Sequence, residues 1–120
     1  MEFYKAAKLI FLAIPEFEYS YKEELNPDYY NLFLGDFGLF VRDAIKHNNK
    51  VAVRCLVFIS DLVNNNVNDE DFLNKMSINI LEVLTDYRET QIDAVKYFSG
   101  HCLSMFQTLL DNGYFNNLVD

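Results

Sequence analysis

At 120 residues the chain has the length of one domain, residues 1–120, and its 51% hydrophobic content, with 11 Phe and 8 Tyr, excludes a disordered chain. Ten Lys and Arg against 18 Asp and Glu leave a net charge of −8. That balance argues against nucleic-acid or anionic-membrane binding, because phosphate contacts need a cationic surplus, and it favours solubility or a basic partner.

In "MEFYKAAKLIFLAIPEF", Phe3, Ala7, Ile10 and Ile14 share one face of a first helix that should stop before Pro15. As a signal peptide this stretch is poor. Its apolar run Leu9–Ile14 is short, Glu2 sits in the basic region, and no small-residue cleavage site follows. No run reaches transmembrane length either, so a cytoplasmic protein is expected. Residues 15–35 hold aromatic side chains without a long period, which predicts a short helix near 16–24 or a turn, then an ordered crossover. Asn26-Pro27-Asp28 reads as a turn feeding a helix start.

"GDFGLFVRDAIKHN" places Phe37, Phe40, Val41, Ala44 and Ile45 on one stripe that extends Phe33, with Asp36 as its expected N-cap and His47-Asn48-Asn49 as its end. "KVAVRCLVFISDLV" is apolar nearly all round, its polar Lys50, Arg54 and Asp61 confined to a narrow sector. A helix of that kind is expected at the centre of the fold, with Phe58 deep in the core. From Asp69, the stripe Phe72, Leu73, Met76, Ile80, Val83, Leu84 and Tyr87 predicts one amphipathic helix. A last helix carries Ile92, Val95, Phe98, Cys102, Met105, Phe106 and Leu109, opened by Thr90 with Asp93 as an approximate capping box. Gly100 within it is unfavourable by roughly 1 kcal/mol against Ala and marks close packing or a kink. The expectation is therefore an all-α fold of five or six antiparallel helices, arranged as a bundle or a short helical-repeat-like stack.

Candidate chemistry is sparse. "NNNVNDED" offers oxygen ligands at Asn64, Asn66 and Asn68, as the first positions of a calcium loop require. Asp69 stands where that loop needs glycine, and Lys75 where it needs a bidentate Glu. Capping explains the stretch better: the asparagines end one helix, Asn68 starts the next, and Asp69, Glu70 and Asp71 complement its positive end. No metal site is expected there. His101 and Cys102 are adjacent, so on a helix they point about 100° apart and cannot act together as base and nucleophile. Cys55 and Cys102 fall on apolar stripes and suit reduced, buried thiols. No phosphate loop, catalytic constellation or cofactor motif appears, so neither an enzyme nor a cofactor is expected.

The acidic residues carry the most content. Asp71, Glu82 and Asp86 line one side of the predicted 69–87 helix, with Asp61, Asp36 and Asp43 on neighbouring elements. Such a face is either simply solvated or a partner-binding surface that steers encounter by charge.

The segments "LGDFGLFVRDAI", "CLVFISDLV" and "INILEVLTDY" resemble a family of small bacterial all-helical proteins that share a Gly-Asp-aromatic step, a Phe-Ile-acid helix and a Leu-Glu-x-Leu helix. The likeness spans residues 33–110, and the chain departs from it where Ser60 precedes Asp61. Proteins of this kind are similar to immunity proteins encoded beside polymorphic toxins. The resemblance implies neutralisation of a cognate toxin by direct binding. With the charge of −8, the expected partner is a protein toxin with a basic cleft, occluded by an acidic, aromatic-containing face. The face expected to do so bears Glu82 and Asp86, helped by Asp71. The alternative is a helical adaptor or a phage-encoded inhibitor of a bacterial defence system.

Overall fold

The computed structural model describes residues 1–112, and over these the chain is all-α. Helix α1 (Phe3–Ala13) starts where the Glu2 carboxylate accepts from the amides of Lys5 at 2.6 Å and Tyr4 at 3.0 Å. It buries Phe3, Ala6, Ala7 and Ile10 and ends at buried Ile14, ahead of Pro15, as its stripe predicts. Pro15 then opens the short α2 (Pro15–Ser20) at a position where its missing N–H costs nothing. An extended crossover leads to a 3₁₀ turn (Pro27–Tyr29), where the Asn26 side chain accepts from the Asp28 amide at 3.0 Å.

Helix α3 (Tyr30–Lys46) begins directly after that turn, so Asp36 lies in its interior and is not the N-cap expected. The apolar stripe reaches back through Leu34 and Phe33, both fully buried, and this anchoring carries the helix past Gly35. Gly38 is needed for packing: a Cβ there would lie 2.6 Å from the Asn79 carbonyl oxygen. The helix closes at Asn48, whose φ of 52° is left-handed, while the Asn49 amide donates back to Ala44 at 2.8 Å.

The centre of the fold is α3, which touches α4 (Val51–Asn64), α5 (Glu70–Met76), α6 (Arg88–Tyr97) and the turns between the last two. The expectation that α4 is covered nearly all round is corrected. Val53 and Val57 are each 42% exposed, and Phe58 is only partly buried, against Phe37. Branched side chains gave α4 its apolar appearance, yet only one face meets neighbours.

The expected single helix 69–87 is also divided. Asp69, one residue beyond the expected Asn68, caps α5 by accepting from the Phe72 amide at 3.1 Å. A π turn follows (Ser77–Leu81), closed by the Glu82 amide on the Ser77 carbonyl, and then a 3₁₀ turn (Val83–Thr85). Two features accompany this loosening. The Asn79 carbonyl presses against Gly38, and the Asn79 amide group donates to both Lys75 O and Asn31 Oδ1 at 2.9 Å.

The expected last helix splits into α6 and α7 (Gly100–Asp111), which accounts for a seventh α-helix. Thr90 is not a cap. Its buried hydroxyl has both Leu84 O at 2.7 Å and Tyr87 O at 2.8 Å within reach of its single proton. The extended Phe98–Ser99 break resets the helical phase, so α6 buries Thr90 and Ala94 while Ile92 and Val95 face outward. Gly100, at φ +55°, supplies the left-handed turn into α7. Asn64 fixes that junction from α4: its Nδ2 donates to Ser99 O at 3.0 Å and its Oδ1 accepts from Cys102 N at 2.9 Å. The asparagine-rich turn thus has structural duties, since Asn66 also donates to Leu62 O at 2.7 Å.

Candidate partner-binding surface

The acids singled out in the sequence fall in two settings. Asp71 is exposed beside Lys75, 3.2 Å away on the next turn of α5. Asp86 accepts from Arg42 at 2.9 Å, and the Arg42 and Lys46 cations lie over the Tyr87 ring. Glu82 is half-buried between the two, beyond the π turn that interrupts the helix after Asp71. This side of the molecule therefore carries its own cations. Asp61 is exposed on α4.

Asp36 and Asp43 are brought together on α3. Both border a shallow depression of about 390 Å³ with Glu23, Tyr21, Phe40 and one cation, Lys22, whose ammonium donates to Tyr19 O. Asp36 also lines a larger groove, of about 710 Å³, over the crossover between α2 and α3. Its apolar walls are Tyr4 from α1, Tyr21, Leu25 and Tyr29 from the crossover, and Leu32 from α3. Its charged lining is Glu23, Glu24 and Asp36, and among the described lining residues there is no Lys, Arg or His. A smaller hollow of about 250 Å³ adjoins it through the shared Tyr4 and Leu25, adding Leu12, Lys8 and Glu18.

Aromatic packing holds this groove in shape. The Tyr21 ring stands 5.2 Å from Phe33, 5.6 Å from Phe17 and 6.0 Å from Phe11, so the start of the crossover is bolted to the core. Over that foundation, Tyr4, Tyr29 and Leu32 are 53%, 59% and 62% exposed, and Leu12 is 72% exposed. Exposed apolar side chains are common singly; here they border one groove and its adjoining hollow. The electrostatics agree. Burial, helped by Glu23, pushes the Asp36 carboxyl up, and burial with Asp36 and Glu23 pushes the Tyr21 phenol up. Negative charge is crowded here.

Elsewhere the chemistry is muted. Burial pushes the Cys55 and Cys102 thiols up to about 12, so neither offers a thiolate near neutral pH. His47 and His101 are both exposed, the former with Nδ1 2.8 Å from Asp43 O. Among the described residues, no three His, Cys, Asp or Glu side chains are arranged to hold a metal ion. No described helix is long and apolar enough to cross a membrane.

Sequence reasoning found Asp36 but missed the groove around it. The signal was available in Tyr4 and Leu12, which lie off the core stripe of α1, and in the aromatic residues of the aperiodic 15–35 segment. Comparison with known proteins finds no family model, no curated protein and no solved structure that matches this chain.

Proposed function

We propose that the protein is a toxin-neutralising binding protein of the immunity type, acting in the cytoplasm by direct occlusion of a basic active-site cleft. The observation that supports this best is the ordered groove over the crossover, where Glu23, Glu24 and Asp36 sit beside exposed tyrosine and leucine side chains with no cation among its lining residues. A toxin that acts on an anionic substrate has a cationic cleft, and carboxylates presented on a rigid apolar platform are suited to fill it. Apolar contact supplies most of the holding energy and charge supplies the rate and the choice of partner. Asp43 extends this acidic surface and Glu82 and Asp61 add to the long-range field, while Asp71 and Asp86 are offset by Lys75 and Arg42. No reaction is assigned to the chain itself.

Co-expression with the toxin encoded beside its gene tests this. The expected outcome is restored growth and a stoichiometric complex on gel filtration that weakens as salt rises. A neighbouring toxin that stays fully active in its presence would overturn the reading in favour of an adaptor or an inhibitor of a defence system.

A further inference from the structure

Resting on that reading, we infer that the crossover groove is the docking site itself, and that its occupant is a short segment of the partner in which Lys or Arg side chains alternate with aliphatic ones. The two halves of this chemistry are both present in the groove. Tyr4, Tyr29, Leu25 and Leu32 form an apolar wall that an aliphatic side chain would desolvate. Glu23, Glu24 and Asp36 form the acidic rim, where an ammonium or guanidinium gains charge-assisted hydrogen bonds and the nearby tyrosine rings add cation–π attraction.

Size favours a segment over a single side chain. The groove's volume of about 710 Å³ falls within the ~300–1,000 Å³ of pockets that enclose drug-sized ligands. The adjoining hollow at Leu12 lengthens it in one direction, as an extended run of several residues requires. The platform is also pre-organised. Tyr21 is fixed among Phe11, Phe17 and Phe33, and Asn26 caps the 3₁₀ turn that carries Tyr29, so both ends of the crossover under the groove are set before binding. The Asp71–Asp86 side differs in this respect. There Lys75 and Arg42 already occupy carboxylates that an incoming cation would need. A second copy of the chain is the weaker occupant, because two molecules of charge −8 repel.

The test uses the full chain and a fluorescent ten-residue peptide of alternating Lys and Leu, with Lys–Ser and Glu–Leu peptides as controls, followed by anisotropy at physiological salt. The Lys–Leu peptide should bind at least tenfold more tightly than either control. Glu23→Lys/Glu24→Lys and Tyr29→Ser/Leu32→Ser, all at exposed positions, should each weaken it at least tenfold with unchanged thermal melting. The charge-matched reversal Asp61→Lys/Glu89→Lys, away from the groove, should change it less than twofold. Equal loss in that reversal would reduce the binding to general attraction and overturn the inference. So would a dimer, seen by light scattering, that the groove substitutions dissolve. The two proposals fail separately. Growth rescue that survives both groove variants removes the groove and leaves the immunity reading intact. Groove-dependent peptide binding without any rescue does the reverse.

Discussion

The aromatic region around Phe33 and the stitched region from the end of α4 to α7 share one small core, but the second adds a set of side-chain-to-backbone hydrogen bonds to its apolar packing. In the first, rings from Phe3, Phe11, Phe17 and Tyr21 surround Phe33 at centroid distances of 5.2–5.8 Å. In the second, Thr90, Gln91, Asn79 and Asn64 spend their side chains on backbone carbonyls and amides at 2.7–3.0 Å. Apolar packing is non-directional, so it leaves helices regular and lets polar groups stay at the surface. Hydrogen bonds are directional. They fix breaks, π turns and 3₁₀ turns, and they use up the polar groups that do so. On the aromatic side, the Glu23, Glu24 and Asp36 carboxylates and the exposed Tyr4 and Tyr29 rings line one groove.

The contrast breaks first at Phe33. Removing a fully buried Phe costs about 3–5 kcal/mol, and Phe33→Ala should lose that much in denaturant unfolding. Phe58→Ala should lose only about 1–2 kcal/mol, because part of that ring already faces solvent. Equal losses would put the centre of the core back at α4.

Gly38 joins the two regions, and Gly38→Ala sharpens the boundary between them. The added methyl meets backbone, not a side chain that can swing away, so α3 and the π turn must separate. Overpacking of this kind costs about 1–3 kcal/mol. Near-neutral stability at this position would mean the π turn yields easily. Asn64→Ala acts inside the stitched region alone. It removes the Cys102 and Ser99 bonds that hold the α4–α7 junction, and loss of such a cap costs about 0.5–2 kcal/mol. Amide exchange should accelerate in the first turn of α7 and stay unchanged in α1 and α3.

The same division explains what could be read from the sequence. Phe3, Ala7, Ile10, Phe33, Phe37 and Val41 repeat with helical period, so the all-α class and the core faces of α1 and α3 were legible. The breaks were not. Ile92 and Val95 continue an apolar stripe that the Phe98–Ser99 break rotates out of the core, and Gly100 gave the only local sign of it. Asn64 acts on residues thirty-five and more positions away, at Ser99 and Cys102, and a spacing that long leaves no local pattern. Likewise Asp36 looked like a cap because a carboxylate ahead of an apolar stripe can accept from first-turn amides. Tertiary contact with Asn79, invisible locally, is what Gly38 serves. The groove went unseen for a related reason: aperiodic aromatic residues read as a loop until the fold sets them side by side.

The smallest effect tests a charged link that ties the aromatic region to α4. Arg54 holds Glu16 with two hydrogen bonds of 2.7 Å, and this fork, helped by Glu16's own backbone amide, lowers the Glu16 carboxyl from 4.5 to about 2. A carboxyl whose folded pKa is depressed stabilises the fold above its unfolded pKa and loses that contribution as pH falls towards the folded value. Wild type should therefore melt slightly above Glu16→Gln at pH 7, and the gap should close between about pH 4.5 and pH 2. The gap should be small and shrink with added salt, since both side chains are nearly half exposed and water screens the pair. A gap that persisted undiminished at pH 2 would show that Glu16 contributes through its packed stem and not its charge. The α2–α4 contact would then belong with the aromatic region's apolar packing.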